Sequence, residues 1–169
     1  MSQHPVLRSG NVAIVTGGAS GIGLAAARWF AAAGMKVCIA DREKSRLGPS
    51  AAEVTAAATG GPESVIAVQT DVSKSDEVYR LAAQVRQRFG LVNVLMNNAG
   101  TQPGSELFGP AETWQQVINV NLWGVIYGTQ AFVPEMIAGA NPASSSIPAP
   151  SRASQRRRAI LPRTSRRRA

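Results

Sequence analysis

Eight residues, Thr16-Gly17-Gly18-Ala19-Ser20-Gly21-Ile22-Gly23, hold four glycines at close spacing. Such a turn suits the binding of a diphosphate for three reasons. Glycine opens backbone angles closed to other residues, lets the main chain approach the phosphates, and allows a helix to pack tightly on a strand. A helix that starts inside the turn adds free N–H groups and the positive end of its dipole. Context decides whether a glycine cluster is a ligand site or only a tight turn, and the flanking segments supply it here.

Asn11 to Val15 is a short apolar run entering the turn, read as a strand buried on both faces. A helix follows, with Ile22, Ala25, Ala26, Trp29, Phe30 and Ala33 at helical spacing and Gly34 placed to end it. Lys36 to Ala40 is a second strand, and Glu43 to Thr59 a weaker helix interrupted at Gly48-Pro49. Ser64 to Gln69 makes a third strand. Ser73 with Asp76 resembles a capping box before a helix striped by Val78, Leu81, Ala82, Val85 and Phe89. Leu91 to Met96 is the fourth strand, and Thr113 to Ile137 reads as a long helix. This alternation predicts an α/β fold, a Rossmann-type doubly wound parallel sheet with helices on both faces, which stops after about four strands and the long helix. The strand at Leu91 to Met96 would then be an uncovered edge.

With its three residues between the first two glycines, the turn resembles the cofactor motif of the short-chain dehydrogenase/reductases. Three more landmarks of that family follow in order: Asp41 after the second strand, Asp71-Val72 after the third, and Asn97-Asn98-Ala99-Gly100 after the fourth. Asn121 then sits in Val120-Asn121-Leu122-Trp123-Gly124 on the long helix. The resemblance covers Asn11 to about Gly139. It implies a nicotinamide dinucleotide held by Thr16, Gly17, Ser20, Gly21, Ile22 and Gly23 at the diphosphate. Asp41 and Arg42 would face the adenosine ribose, Asp71 and Val72 the adenine, and Asn98, Ala99 and Gly100 the inner ribose. A carboxylate at Asp41 would accept ribose hydroxyls and repel a 2′-phosphate, which favours NAD. Arg42 would instead pair with that phosphate, so NADP stays open. Asn121 would belong to the catalytic set. Its neighbours Trp114, Ile118, Val125 and Phe132 place its amide in an apolar stripe, where it should find buried partners.

Members of the family exchange hydride between the nicotinamide and an alcohol or carbonyl substrate, with a Tyr as acid or base, a Lys four residues on and a Ser. In this chain the last Tyr is Tyr127 and the last Lys is Lys74, both ahead of where that set belongs. General acid–base catalysis contributes ~10²–10⁴ in rate, so the expectation is an enzyme by family whose own chain is catalytically incomplete. The family also implies a homo-oligomer, doubtful here. No metal is expected.

The net charge of +8 would suggest an acidic partner, but its distribution is lopsided. Residues 1–139 carry three Lys and seven Arg against ten acids, while the last thirty hold eight Arg and no acid. Residues 140–169, rich in Arg, Pro and Ser and lacking aromatics, read as a disordered tail distinct from the dinucleotide-binding portion at 1–139. A different function class rests on that tail: a non-catalytic dinucleotide-binding protein contacting nucleic acid through its arginines. The tail lacks the aromatic residues that would stack bases. One cysteine, Cys38, without a disulfide partner, and a first segment with no signal-peptide pattern make a cytoplasmic location the default. No stretch reaches the roughly 20 apolar residues of a membrane span.

The tail also reads as a shifted frame. Joining the third base of each codon to the first two of the next, with serines as TCN codons, makes the junctions ending on Ser144, Ser145 and Ser146 encode only Phe, Leu, Ile or Val. Asn or Asp and then Ser or Thr can follow at the next two junctions. Tyr at 163/164 and Lys at 167/168 give the family's spacing of four, although a Tyr one codon earlier would suit its distance from the serine better. Resequencing the locus is expected to reveal a dehydrogenase-like continuation in another frame. A clean gene with none would sink this reading and favour a genuine basic tail.

Overall fold

The computed structural model describes residues 5–104 and 107–140; the expectations for the tail fall outside these residues. Four strands form one parallel sheet in the order β3-β2-β1-β4: β1 (Val12–Thr16), β2 (Lys36–Asp41), β3 (Val65–Gln69) and β4 (Val94–Met96). The helices are α1 (Gly21–Ala32), α2 (Lys44–Ala57), α3 (Ser75–Phe89), α4 (Ala111–Ile118) and α5 (Gly124–Ala140), with a π turn at Asn119–Trp123 joining the last two.

Strand alternation divides the core into two layers. Val12 and Ile14 of β1 and Cys38 and Ala40 of β2 face α3 and α5, meeting Val78, Leu81, Val85 and Phe132. Ala13 and Val15 with Val37 and Ile39 face α1 and α2, meeting Ala27, Phe30, Ala31, Leu47 and Val54. All five residues of β1 are buried, as a central parallel strand covered on both faces requires. At one margin, β4 pairs with β1 over only three residues and forms a sheet edge among the described residues. It is shorter than the expected Leu91 to Met96, because Asn93 at its start bonds Val12 through both its side chain and its backbone.

Three local expectations need correction. In α1 the buried residues are Gly23, Ala27, Phe30 and Ala31, whereas Ile22 is 77% and Trp29 50% exposed. The helix is apolar almost all round, so periodicity fails to choose a face, and the small residues win because they let α1 sit close to the sheet. Next, α2 runs through Gly48-Pro49 without a break. Pro49 forfeits one backbone bond, yet the burial of Leu47, Ser50 and Val54 on one side holds the helix together. Finally, no capping box forms at Ser73. The Ser73 hydroxyl donates to Asp71 Oδ1 (2.7 Å), Lys74 is the N-cap, and Glu77 reaches back to the Asp71 N–H (2.8 Å).

Gly34 does end α1, with a φ of 81° that favours glycine. No helix among the described residues is long and apolar enough to cross a membrane. Cys38 lies at the centre of β2 with no exposed surface, and burial pushes its thiol up to about 12. It is expected to react with a thiol reagent at least ~100-fold more slowly in the native protein than after denaturation, as when exposure needs an opening of ~3 kcal/mol. Rapid native labelling, read by absorbance of the released thiolate, would contradict this core placement.

Candidate functional site

The carboxyl ends of β1 and β4 are tied together by one buried hydroxyl. Thr16 Oγ1 donates to Met96 O (3.3 Å) and accepts the N–H groups of Asn98 (3.0 Å) and Ala99 (3.1 Å). In return, the Asn98 amide donates to Thr16 O (3.0 Å) and Gly17 O (3.2 Å). This exchange fixes the start of the glycine turn against the loop after β4.

The glycines then serve separate ends. A Cβ at Gly23 would lie 2.3 Å from Gly17 O and 2.5 Å from Asn98 Nδ2, so only glycine lets α1 close onto that junction. Gly17 has a φ of +63°, and its absent Cβ leaves room for the Ala99 backbone. Gly21 differs: with a φ of +52° it faces open space, with no protein atom within 4 Å of a would-be Cβ. It opens α1, whose first intrahelical bond runs from Leu24 N–H to Ser20 O (3.1 Å). The N–H groups of Gly21, Ile22 and Gly23 precede that bond, as the orphan donors of a helix start.

Asp41 closes the turn from the neighbouring strand. One carboxylate oxygen accepts the Ala19 N–H (3.1 Å) and the other the Glu43 N–H (3.0 Å). Each oxygen keeps capacity for a further donor. Gly18 N–H donates to Ala40 O (3.2 Å) beside it. Asp71 holds Ser73 through both its N–H and its hydroxyl, which shapes the turn into α3. The Asp71 N–H, helped by Lys74, holds the Glu77 carboxyl below its ordinary value. Glu77 therefore adds stability above the carboxylate range that is lost as pH falls through its lowered value; solvent screening keeps the effect small.

These parts converge on a cleft of about 440 Å³ at the carboxyl end of the sheet. Gly17, Ser20, Gly21, Ile22, Asp41, Arg42, Asp71, Val72, Asn98, Ala99 and Gly100 line it, bringing together most of the residues expected from sequence. Thr16 and Gly23 stand behind this lining. Glu43, Arg46, Thr101 and Val120 line it too and were not foreseen. Arg46 lies in the first turn of α2, four residues after Arg42, which precedes the helix.

Asn121 lies outside this cleft and lines an adjoining one of about 500 Å³ with Thr101, Gln102 and Val117; both clefts share Gly100 and Thr101. Its amide does not find buried partners in an apolar stripe, as expected. It is exposed, and it chelates one residue of the loop, accepting Thr101 N–H (2.8 Å) and donating to Thr101 O (2.9 Å). The stripe itself faces outward, with Trp114 40%, Ile118 39% and Val125 38% exposed, and between Ile118 and Val125 the helix is interrupted by a π turn, in which Gly124 N–H bonds Asn119 O five residues back. Beyond it, Gly124 packs on Val72 and Gly128 on Asn97, where a Cβ would lie 2.9 Å from Val72 Cγ2 and 2.3 Å from Asn97 Oδ1.

A family model described as short chain dehydrogenase matches residues 11–156. The chain belongs to the short-chain dehydrogenase family. The match continues past Gly139, where the sequence resemblance was read to end, into residues outside those described. Among dehydrogenase relatives, the chain is 41% identical over 136 residues to 1-deoxy-11-beta-hydroxypentalenate dehydrogenase of Streptomyces arenae, covering 78% of this chain and 46% of that protein. An uncharacterized oxidoreductase of Staphylococcus saprophyticus is 35% identical over 128 residues, covering 75% and 53%. The crystal structure of a short-chain dehydrogenase/reductase from Burkholderia phymatum in complex with NAD superposes with a TM-score of 0.73 at 38% identity, covering 79% and 46%. The chain thus spans about half the length of these dehydrogenases.

The close approach at Gly23 generates a contrast within one fold. Gly23→Ala is expected to destabilise by ~1–3 kcal/mol, because its methyl must displace backbone and a hydrogen-bonded amide. Gly48→Ala, in mid-helix with nothing beyond its chain neighbours within 4 Å, is expected to change stability by less than ~1 kcal/mol, its gain in helix propensity being offset by the new Cβ against the Pro49 ring. Chemical denaturation of both variants measures this; equal effects would contradict the packing of α1 on the Gly17–Asn98 junction.

Proposed function

We propose that this chain is the dinucleotide-binding portion of an NAD(P)-dependent short-chain oxidoreductase, holding NAD in preference to NADP. The observation that carries the proposal is the convergence of the glycine turn, Asp41, Asp71-Val72 and Asn98-Ala99-Gly100 on one cleft. That cleft opens at the carboxyl ends of β1 and β4, where the strand order reverses from β3-β2-β1 to β4, the usual ligand crevice of an open α/β sheet.

The residues fit the cofactor. The start of α1, with open space at Gly21, would take the diphosphate; Asp41 would accept the ribose hydroxyls through its remaining lone pairs; Val72 and Val120 would form apolar walls for the adenine. When bound, the nicotinamide supplies or accepts hydride for an alcohol or carbonyl substrate. Asn121, fastened to Thr101, would hold the loop that borders both clefts. The acid–base Tyr, its Lys and the family Ser have no counterpart within residues 1–139, so turnover by this chain is expected to be negligible. The reading as a non-catalytic protein contacting nucleic acid draws on residues 141–169, outside the described residues, and nothing in the described residues favours it.

Calorimetric titration of the full chain is expected to show NAD binding about fivefold or more tighter than NADP, the scale of ~1 kcal/mol repulsion between two charges ~4 Å apart in water. Arg42 and Arg46 flank the same cleft, so equal or reversed affinities would overturn the assignment of Asp41. Gly21→Val should abolish binding of both, since its side chain would enter the phosphate space at a strained φ. Normal binding by that variant would remove the turn from the site.

A further inference from the structure

Ser50 lies on α2, far from the glycine turn in sequence and outside the lining of the cleft. It is buried, at 4% exposure. A serine inside a helix commonly bonds the carbonyl four residues back. This one instead donates its hydroxyl to Ala19 O at 2.8 Å, across thirty-one positions of sequence. Ala19 is also buried at 4%. A buried carbonyl without a donor is costly, so the hydroxyl answers a need that the turn creates.

The consequence follows from peptide geometry. In a planar trans peptide the C=O and the next N–H point in opposite directions. With the Ala19 carbonyl drawn inward to Ser50, the Ser20 N–H is aimed the other way. Ser20 is the exposed, extended N-cap of α1 and lines the cleft. The preceding peptide is held as well, because the Ala19 N–H donates to Asp41. Two side chains, one from the end of β2 and one from α2, thus set the planes of two successive peptides in the turn.

We propose that Ser50 is a positioning residue for the diphosphate of the dinucleotide: by holding the Ala19 carbonyl, it keeps the Ser20 N–H directed into the anion-binding start of α1. The inference rests on the dinucleotide reading above. Without the hydroxyl the Ala19–Ser20 peptide is free to rotate, and the apparent affinity falls with the fraction of molecules that keep the competent orientation. A competent fraction of about one tenth weakens binding about tenfold.

The test is titration of the full-length protein and of Ser50→Ala and Ser50→Thr with NAD, NADP and ADP. Ser50→Ala is expected to bind NAD and ADP about tenfold more weakly, with the ratio of NAD to NADP affinity unchanged, because that ratio is set at Asp41 and Arg42. Ser50→Thr, which keeps the hydroxyl, is expected to stay within about twofold of the parent. Unchanged NAD affinity in Ser50→Ala, even with a lowered melting temperature, would overturn the proposal, as would an equal loss in both variants. Where Ser50→Ala is too unstable to titrate, Ser50→Cys replaces it: a weaker donor of similar shape, it should weaken NAD in the same direction, and unchanged affinity would count as refutation. Failure of the parent chain to bind NAD would defeat the dinucleotide reading itself, whereas parent binding with no effect at Ser50 defeats this inference alone.

Discussion

The exchange of hydrogen bonds between Thr16 and Asn98 governs how the rest of the site is built. Strands β1 and β4 are distant in sequence, and their ladder is only three residues long. Where the ladder stops, a single buried hydroxyl and one amide take over the backbone groups that a longer ladder would have paired. The two loops that leave these strands, one glycine-rich and one carrying Asn98 to Gly100, are thereby held side by side. Because the Asn98 amide occupies the space beneath Gly17, the helix that follows must present a residue without a side chain at its third position, and Gly23 supplies it. The need for glycine is in this sense passed from one loop to the other by packing.

The same economy appears on the other side of the turn. Asp41 would meet the ribose in the bound state, yet in the structure its two oxygens already tie down backbone N–H groups. One carboxylate thereby orders the turn and lines the cleft. Fixing the backbone before the ligand arrives removes ordering entropy from the binding step. Ser50 contributes from the helix layer, and α3 sends Glu77 back to the Asp71 N–H to hold the loop after β3 in the same way.

The architecture was legible in the sequence because each strand is a short apolar run between helical stretches, and the glycine turn sits at a strand-to-helix junction. The residues that line the cleft were legible for the same reason: they lie at strand ends, whose positions follow from the runs. Three features were opaque. The buried face of α1 was missed because Ile22 and Trp29 look like core residues by type, while the core selects Gly23, Ala27 and Ala31 by size. The continuity of α2 through Pro49 depends on tertiary packing that outweighs local propensity. Asn121 was assigned buried partners on the assumption that its apolar neighbours form a core face, whereas Trp114, Ile118 and Val125 are exposed and a π turn interrupts the period. Ser50 carried no signal at all, since a lone serine in a helix is unremarkable until its distant carbonyl is known.

That π turn has a consequence for how this helix can vary. It accommodates one more residue per turn than an α-helix, so it behaves as an insertion locked into the middle of a rod. Losing one residue between Asn119 and Trp123 would return the helix to regular winding and leave the segments on either side in place, because a π turn takes one more residue than an α turn to cover about the same rotation. Gly124 and Gly128 would stay against Val72 and Asn97, where only a hydrogen atom fits. A single residue gained or lost between Gly124 and Gly128 would instead turn Gly128 by about 100° about the axis and bring a larger neighbour onto Asn97. The slack in this rod is stored at the bulge.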